Sequence, residues 1–390
     1  MKINRFFILS VFAALALSLA NACAAPLFPV VIGDRWGFAD QSGKVVINPQ
    51  FERAEPFASG LAEVRLDKWG YVNASGKMAG NPQFDKAGPF SDGLAAVVVG
   101  GHCGYVNPEG KYVVNPQFDD AGTFAEGRAS IKLNHRFGFI DKTGKIVINP
   151  QFDDAADFSE GLAAVEVGGR WGYVNPDGKY AINPQFDEAG TITEGRAAIK
   201  LNHRFGYIDK TGKIVINPQF DDAADFSEGL AAIGLGGRFG FIDKTGKTVI
   251  NPQFEKAGSF SEDLATVRVA KRWGFIDQTG KMVISPQFDD AHSFVKGLAP
   301  ARLGKKWGYI DPAGKFVVNP QFDDAAEFSE GLAAVRTGGR WGFIDKSGKL
   351  VINPQFDEAM AFADGLARVK VGHKTGYINA SGKYIWNPSN

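Results

Sequence analysis

One short unit is copied end to end along most of this chain. An aromatic-glycine pair first stands at Trp36-Gly37, and its copies follow after 33 residues once and after 34 residues every other time. Two of these copies are degenerate, Cys103-Gly104 and Thr375-Gly376. Self-similarity at a fixed period of this length is typical of architectures in which each copy is one structural unit. The repeated unit therefore constrains the fold of the chain more than its length of 390 residues does.

Each copy carries three recognisable blocks. The aromatic-glycine pair is followed by Asn-Pro-Gln-Phe, as at residues 149–152, and then by Phe-Ser-Glu-Gly-Leu-Ala, as at residues 158–163. Ten full units and a partial eleventh account for residues 33–388. Residues 132–164 match residues 200–232 at 32 of 33 positions, which indicates growth by whole units.

These blocks give the chain a resemblance to the WG-repeat proteins of bacteria. The shared pattern is Trp-Gly-aromatic-aliphatic-Asp, then Gly-Lys, then a strand ending in Pro-x-Phe, then Gly-Leu-Ala. The resemblance covers about nine-tenths of the chain. Cys103, Thr375 and several phenylalanines depart from it by replacing the tryptophan. The resemblance implies a repeat architecture and does not imply an activity.

The residues of one unit predict a three-stranded antiparallel meander. In residues 162–167 apolar and variable positions alternate, which is the period of a strand with one buried face. Gly168-Gly169 then makes a tight reversal into a second strand at residues 171–175. A third strand at residues 180–182 is expected to stop at Pro184, because proline cannot donate to a ladder.

Such a small sheet must stack on its neighbours to bury its aromatic residues. Phe152, Ala155 and Phe158 are the expected contacts between units. The units could form a closed propeller or an open superhelix. Propellers typically have about 4–8 blades of four strands, so ten to eleven units of three strands favour an all-β, open solenoid-like superhelix over a closed propeller.

The first residues predict export. Lys2 and Arg5 precede a mostly apolar run of 15 residues, and small-x-small triplets end it near residues 22–24. This is the pattern of a secretory signal peptide, assigned to residues 1–24, with a short linker at 25–32 and the repeat array at 33–388. The mature chain is expected in the periplasm, at the cell surface or secreted. Lipidation of Cys23 is an alternative, although Leu19 stands one place too far away.

Composition and motifs argue against several classes of function. Lysine plus arginine equals aspartate plus glutamate, 43 against 43, so no overall field attracts nucleic acid. Two cysteines cannot build a disulfide framework or a four-thiolate metal site. The repeated turn at residues 141–145 is interpreted as a capped hairpin turn rather than a calcium loop, and Cys103 as a buried thiol. We expect no cofactor, no metal and no catalytic activity.

A cation precedes almost every repeat aromatic, and we call these cations the cation ladder: Arg35, Lys68, Arg136, Arg170, Arg204, Arg238, Arg272, Lys306, Arg340 and Lys374. An acidic residue follows nearly every Pro-Gln-Phe. Either the two sets pair and keep the surface soluble, or the cation ladder contacts an anionic polymer.

The resulting expectation is a non-catalytic exported scaffold that contacts protein or the cell envelope. One alternative is a binding module for anionic or neutral glycan polymers, which would use exposed aromatics and the cation ladder. Another is an enzyme with a site in a groove between units, which needs residues present in one unit alone. His292, Met360 and Trp386 are such residues and form no recognisable constellation.

Overall fold

The computed structural model describes residues 26–389, and its regular structure is β-strand. The strands form eleven antiparallel sheets, which we call blades 1 to 11 in chain order. The expected signal peptide and Cys23 lie outside the described residues. Within residues 26–389 no helix is long and apolar enough to cross a membrane.

Blades 1 to 4 comprise, in order, β1 (Leu27–Ile32), β2 (Arg35–Asp40) and β3 (Val45–Phe51); β4 (Arg53–Ala54), β5 (Leu61–Arg65) and β6 (Trp69–Asn73); β7 (Lys86–Ala87), β8 (Ala95–Val99), β9 (His102–Val106) and β10 (Tyr112–Phe118); β11 (Asp120–Ala121), β12 (Arg128–Leu133), β13 (Arg136–Asp141) and β14 (Ile146–Phe152). Blades 5 to 8 comprise β15 (Asp154–Ala155), β16 (Ala163–Val167), β17 (Arg170–Val174) and β18 (Tyr180–Phe186); β19 (Glu188–Ala189), β20 (Arg196–Leu201), β21 (Arg204–Asp209) and β22 (Ile214–Phe220); β23 (Asp222–Ala223), β24 (Leu230–Leu235), β25 (Arg238–Asp243) and β26 (Thr248–Phe254); β27 (Lys256–Ser261), β28 (Leu264–Val269), β29 (Arg272–Asp277) and β30 (Met282–Phe288). Blades 9 to 11 comprise β31 (Asp290–Ala291), β32 (Ala299–Leu303), β33 (Lys306–Ile310) and β34 (Phe316–Phe322); β35 (Asp324–Ala325), β36 (Leu332–Thr337), β37 (Arg340–Asp345) and β38 (Leu350–Phe356); β39 (Glu358–Ala359), β40 (Leu366–Val371), β41 (Lys374–Asn379) and β42 (Tyr384–Ser389).

Nine blades have four strands, so the three-stranded unit expected from the sequence is incomplete. The additional strand is usually two residues long and lies in the connector between blades. In blade 5 this is β15, whose Ala155 stands opposite Val165 of β16. A strand of two residues has no period to detect. The expected linker at residues 25–32 also contains a strand, β1, which is the first strand of blade 1.

In every blade except blade 2, which has no third long strand, this strand passes through its proline, so the expected end at Pro184 is wrong. β18 pairs with β17 through Trp171 opposite Phe186 and Tyr173 opposite Ile182, with a register shift between the two pairs. The proline sits in this bulge, where it needs no ladder donor. The bulge lies directly on Gly172, where a Cβ atom would be 2.6 Å from the Ile182 carbonyl oxygen. This contact explains the glycine after the repeat aromatic.

Both faces of a blade are buried, each against a different neighbour. Ala163 and Val165 pack in a cluster with Phe152 and Phe158, at the contact between blades 4 and 5. Ala164, on the opposite face of the same strand, belongs to the next cluster, between blades 5 and 6. The expected contacts at Phe152, Ala155 and Phe158 are confirmed, since all three are buried. The expected wet face is wrong at Ala164, because a second blade covers it.

Eleven clusters of buried apolar residues join the eleven blades. An open stack of eleven blades would have only ten interfaces. The eleventh cluster joins the two ends of the array, with Phe28, Val30 and Ala39 from blade 1 and Leu366 and Tyr377 from blade 11. We call this interface the seam.

Further contacts close the ring at the seam. The rings of Phe28 and Tyr377 lie 4.4 Å apart between centroids. The side-chain amide of Gln41 donates to the backbone carbonyl of Asp364 at 2.6 Å. The protein is therefore an eleven-bladed β-propeller ring, and the expected open superhelix is wrong. That expectation counted three strands per unit, whereas the connector supplies the fourth strand of a propeller blade.

Candidate functional site

Most of the cation ladder is held in ion pairs between blades. In seven of its ten members the side chain pairs with the acidic residue 17 positions later: Lys68 with Asp85, Arg136 with Asp153, Arg170 with Asp187, Arg204 with Asp221, Arg272 with Asp289, Lys306 with Asp323, and Arg340 with Asp357. The Lys68 and Lys306 pairs each measure 2.5 Å from nitrogen to oxygen.

The carboxylate of each pair also reaches the next blade. The second oxygen of Asp323, for example, accepts the backbone N–H of Gly338 at 2.8 Å, in the β36–β37 hairpin of blade 10. The hydrogen bond from Lys306 and then that from Gly338 lower the pKa of Asp323. These groups are solvent-exposed, so each pair contributes little to stability by itself. Their geometry nevertheless places the ion pairs at the contacts between blades, so these cations and carboxylates do not form separate charged stripes.

Three members of the cation ladder have no carboxylate within 4 Å in residues 26–389: Arg35, Arg238 and Lys374. For Arg35 and Arg238, the residue 17 positions later is a glutamate, and each of these glutamates pairs with another arginine. Glu52 lies 3.6 Å from Arg65, and Glu255 lies 3.6 Å from Arg268. The side chains of these three cations are exposed.

The repeat aromatics are half-buried rather than fully exposed to solvent. Trp171 and Trp341 are partly exposed, while Trp307 is buried. Arginines of the preceding strand cover some of them, as Arg336 does over Trp341 at 5.7 Å from the ring centroid. Among the described residues Tyr180 is the single aromatic in the set of exposed large apolar side chains. Residues 26–389 therefore present no stripe of exposed aromatic faces for stacking on sugars.

The repeated aspartate turns are capped hairpin turns, as the sequence indicates. One oxygen of Asp141 accepts the Thr143 N–H at 2.9 Å, the Thr143 hydroxyl at 2.6 Å and the Lys145 N–H at 3.1 Å. The Thr143 hydroxyl is the main cause of a lowered Asp141 pKa. Within the described residues no group of three or more His, Cys, Asp or Glu side chains is placed to hold a metal.

Cys103 and the five histidines form no common site in the described range. Cys103 is buried in a cluster between blades 3 and 4, and burial raises the pKa of its thiol. His292 packs against Trp307 at 4.8 Å between ring centroids. Met360 is exposed and lies at the seam.

A pocket of about 410 Å³ opens at the seam. Its apolar wall includes Leu27, Phe28, Leu366 and Tyr377, and its polar lining includes Arg368. We call it the seam pocket. Sequence reasoning did not identify these residues as a site. The available signal was that Arg368 interrupts a position occupied by small residues in most other copies.

Several solved structures are similar to this chain at low identity. A eukaryotic initiation factor is 12% identical, with 81% of this chain and 92% of that chain covered and a TM-score of 0.47. Hsv2 of Kluyveromyces lactis is 7% identical, covering 57% and 90%, with a TM-score of 0.33. PorZ, a surface component of the type-IX secretion system of Porphyromonas gingivalis, is 11% identical, covering 90% and 63%, with a TM-score of 0.27. These likenesses carry no argument about function.

No curated protein sequence matches the chain. The WG containing repeat matches ten times in succession, at residues 36–68, 69–102, 104–134, 137–171, 171–202, 205–238, 239–272, 273–307, 307–341 and 341–374. The matches tile the blades described above, and each holds an aromatic-slot residue or the glycine beside it. The chain belongs to the family of proteins built from the WG containing repeat.

Proposed function

We propose that the mature protein is an exported, non-catalytic ring that binds a partner protein. The observation that carries this proposal is the closed ring of eleven blades, in which the same polar groups serve the same structural contact in blade after blade. Rigid repeat arrays of this kind offer extended surfaces for binding. Fold alone does not determine function, so the argument rests on how the side chains are used.

Polar side chains of types that could take part in catalysis instead form structural contacts in the ring. The hydroxyls of buried tyrosines donate to connector carbonyls, as Tyr173 does to Gly190 at 2.7 Å and Tyr309 to Ala326 at 2.7 Å. Burial is the main cause of the raised pKa of both tyrosines. Together with the capped turns and the ion pairs between blades, this use of polar side chains supports a binding role.

Export is supported by the sequence features of residues 1–24. Cleavage near residues 22–24 leaves β1 intact, because β1 begins at Leu27. The ring thus keeps every described strand after removal of the leader. N-terminal sequencing of the protein from its host should recover a chain that begins near Cys23 or Ala25, outside the cytoplasm. An intact Met1 on cytosolic material would contradict export.

A protein partner is favoured over a glycan because the aromatic faces that stack on sugars are half-buried. The test is capture on the immobilised mature protein, from envelope proteins and separately from envelope polysaccharides, at low and high salt. A captured protein is then identified by mass spectrometry, purified and rebound. We expect binding of that purified protein.

Two variants separate the alternatives in the same assay. Arg35, Arg238 and Lys374 are changed to Gln together, and Lys179→Ala is the control on an exposed turn. Salt-sensitive polysaccharide binding that falls in the triple variant alone would instead support the glycan alternative. Turnover of a substrate that one substitution abolishes would contradict the non-catalytic assignment.

A further inference from the structure

In ten interfaces of the ring, one connector residue fills the space between the two blades. These residues, which we call plugs, are Phe57, Phe90, Phe124, Phe158, Ile192, Phe226, Phe260, Phe294, Phe328 and Phe362. A phenylalanine plug packs edge-on against an aromatic ring of the preceding blade. The centroids of Phe139 and Phe158 lie 4.9 Å apart, and those of Tyr207 and Phe226 lie 5.0 Å apart.

The seam has no such plug in the described residues. Tyr377 occupies the place of Tyr207 in blade 11, but its ring meets Phe28 of β1. Phe28 stands opposite Ala39 in its hairpin, as Ala163 stands opposite Val174 in blade 5. A phenylalanine has therefore replaced the usual alanine, and Tyr377 is buried against it, at 8% exposure.

The seam pocket lies between two connectors. Met360 and Asp364 of the connector into blade 11 line one side, and Glu55 and Phe57 of the connector into blade 2 line the other. Two apolar residues of this lining are exposed or partly exposed. Met360 is 54% exposed, and Phe57 is partly exposed although the nine other plugs are buried.

Arg368 gives the seam pocket a cation at a position that carries a small residue in most other blades and Glu63 in blade 2. Glu55 and Asp364 also line the pocket. Arg368 stands opposite Tyr377, at the position that is Ala164 in blade 5 and Ser130 in blade 4. It is exposed, lines the seam pocket and has no carboxylate within 4 Å in residues 26–389. An arginine beside an apolar pocket is suited to a ligand that carries a carboxylate next to an apolar group.

The intact connectors show where that carboxylate would lie. Asp157 and Asp225 each directly precede a plug phenylalanine. The Asp157 carboxylate and the Ser130 hydroxyl both border Gly122, and Asp225 acts electrostatically on Tyr207. An acidic residue before a plug therefore approaches the position that Arg368 occupies at the seam.

We propose that the seam pocket binds an extended peptide of a partner protein in which an acidic residue is followed directly by phenylalanine. The phenylalanine packs against the apolar wall of the seam pocket, beside Phe28 and Leu366, and the acidic side chain pairs with Arg368. The inference rests on the proposed function and names the kind of partner segment that one site of the ring takes. In the sequence, Cys23 stands four residues before Leu27, where Phe57 stands four before Leu61, so no phenylalanine occupies the plug position that precedes blade 1.

The probe is a fluorescently labelled peptide with the sequence of residues 153–160, Asp-Asp-Ala-Ala-Asp-Phe-Ser-Glu. Its binding to the mature protein is followed by fluorescence anisotropy. We expect saturable binding that weakens by about tenfold or more when the peptide phenylalanine becomes alanine, or when the aspartate before it becomes asparagine. No saturable binding, or equal binding of the alanine peptide, would overturn the proposal.

Arg368→Ala tests the charge from the protein side. Alanine stands at this position in blades 3, 5, 6, 7 and 10, so the variant is expected to fold. It should bind the parent peptide about tenfold more weakly and the asparagine peptide as the parent protein does, while Lys179→Ala changes neither. If Arg368→Ala fails to fold, the asparagine peptide on the parent protein makes the same test.

Two further results bear on the occupant. If only a protein starting at Pro26 binds the peptide, the residues before Pro26 fill the seam pocket and the proposal is wrong. If a purified partner binds the ring but neither it nor the peptide depends on Arg368, this inference fails and the proposed function stands.

Discussion

At the scale of single residues, the glycine of the aromatic-glycine pair is set by close contact rather than by backbone conformation. Gly172 is absent from the residues with positive φ, so any L-residue could adopt its conformation. A Cβ atom there would lie 2.6 Å from the Ile182 carbonyl oxygen and 2.7 Å from the Pro184 nitrogen. Both are backbone atoms of the bulge and cannot move aside as a side chain would.

Gly172→Ala should therefore destabilise the ring by about 1–3 kcal/mol, the usual range for overpacking a buried contact. Gly88→Ala is the matched control, since its Cβ would meet the Ala96 carbonyl oxygen at an ordinary 3.5 Å. Urea unfolding followed by circular dichroism measures both. Equal midpoints for the two variants would show that the bulge does not press on the glycine.

Glu63 is a partly buried acid whose charge opposes folding. Burial, and secondly the nearby Glu55 carboxylate, raise its pKa to about 7. The folded state therefore binds the proton more tightly than the unfolded chain does. The stabilisation of the fold by protonated Glu63 is fully present below the ordinary glutamate pKa of 4.5 and is lost as pH rises through 7. Glu63→Gln should raise the melting temperature at pH 8 and change it little at pH 4.5. A larger increase in melting temperature at pH 4.5 than at pH 8 would contradict this pH dependence.

At the scale of elements, the connector carries the packing between blades. Phe152 is fully buried at the contact of blades 4 and 5, beside β15. Phe152→Ala should lower the free energy of unfolding by about 3–5 kcal/mol, the range for truncating a buried aromatic. Lys145→Ala, on an exposed turn, should change it by no more than about 0.5 kcal/mol. Chemical unfolding of both variants measures the difference, and similar losses would mean that the buried and exposed sides are misassigned.

The long strands and turns could be predicted from the local sequence pattern, whereas the short connector strands and the bulges could not. The alternation in residues 162–167 and the Gly168-Gly169 reversal place β16 and β17 within one residue of their observed bounds. β15 has two residues and depends on its partner strand rather than on any period. Passage of β18 through Pro184 depends on a bulge that only the pairing with β17 shows.

The candidate site was harder to predict, for related reasons. The cation ladder is visible in the sequence, but its pairing with acids 17 residues later depends on the stacking of blades. The seam pocket joins residues more than 300 positions apart, such as Gln41 and Asp364. Its local trace is a departure from the repeat, with Phe28 in place of alanine and Arg368 in place of a small residue.

At the scale of the whole molecule, closure sets a fixed turn per blade. Eleven blades share a full rotation at about 33° each, whereas nine would need about 40°. Deleting residues 132–199 removes two units and keeps the sequence register. The shortened protein should melt at a lower temperature, and it should associate because an unclosed ring exposes apolar faces. Thermal circular dichroism and light scattering test this. A monomer that melts with the parent would indicate that the number of blades is not constrained.

Closure also brings the two ends of the array together, which an open stack forbids. In a linear stack the end blades would be separated by about 100 Å, at roughly 10 Å per packed sheet. In the ring, the Gln41 side chain lies 2.6 Å from the Asp364 carbonyl oxygen. The distance between these residues therefore distinguishes the two architectures without reference to a ligand.

The most direct measurement is a short-range cross-link across the seam. Gln41→Cys and Asp364→Cys are introduced together in the mature protein with Cys23 and Cys103 changed to Ser, and a short bismaleimide is added to dilute monomer. Mass spectrometry should recover one cross-linked species that joins the two tryptic peptides, at a rate independent of protein concentration. The control pairs Gln41→Cys with a cysteine at Lys179 in blade 5. Absence of the seam cross-link within a single chain, or equal yield for the control pair, would contradict the closed eleven-bladed ring.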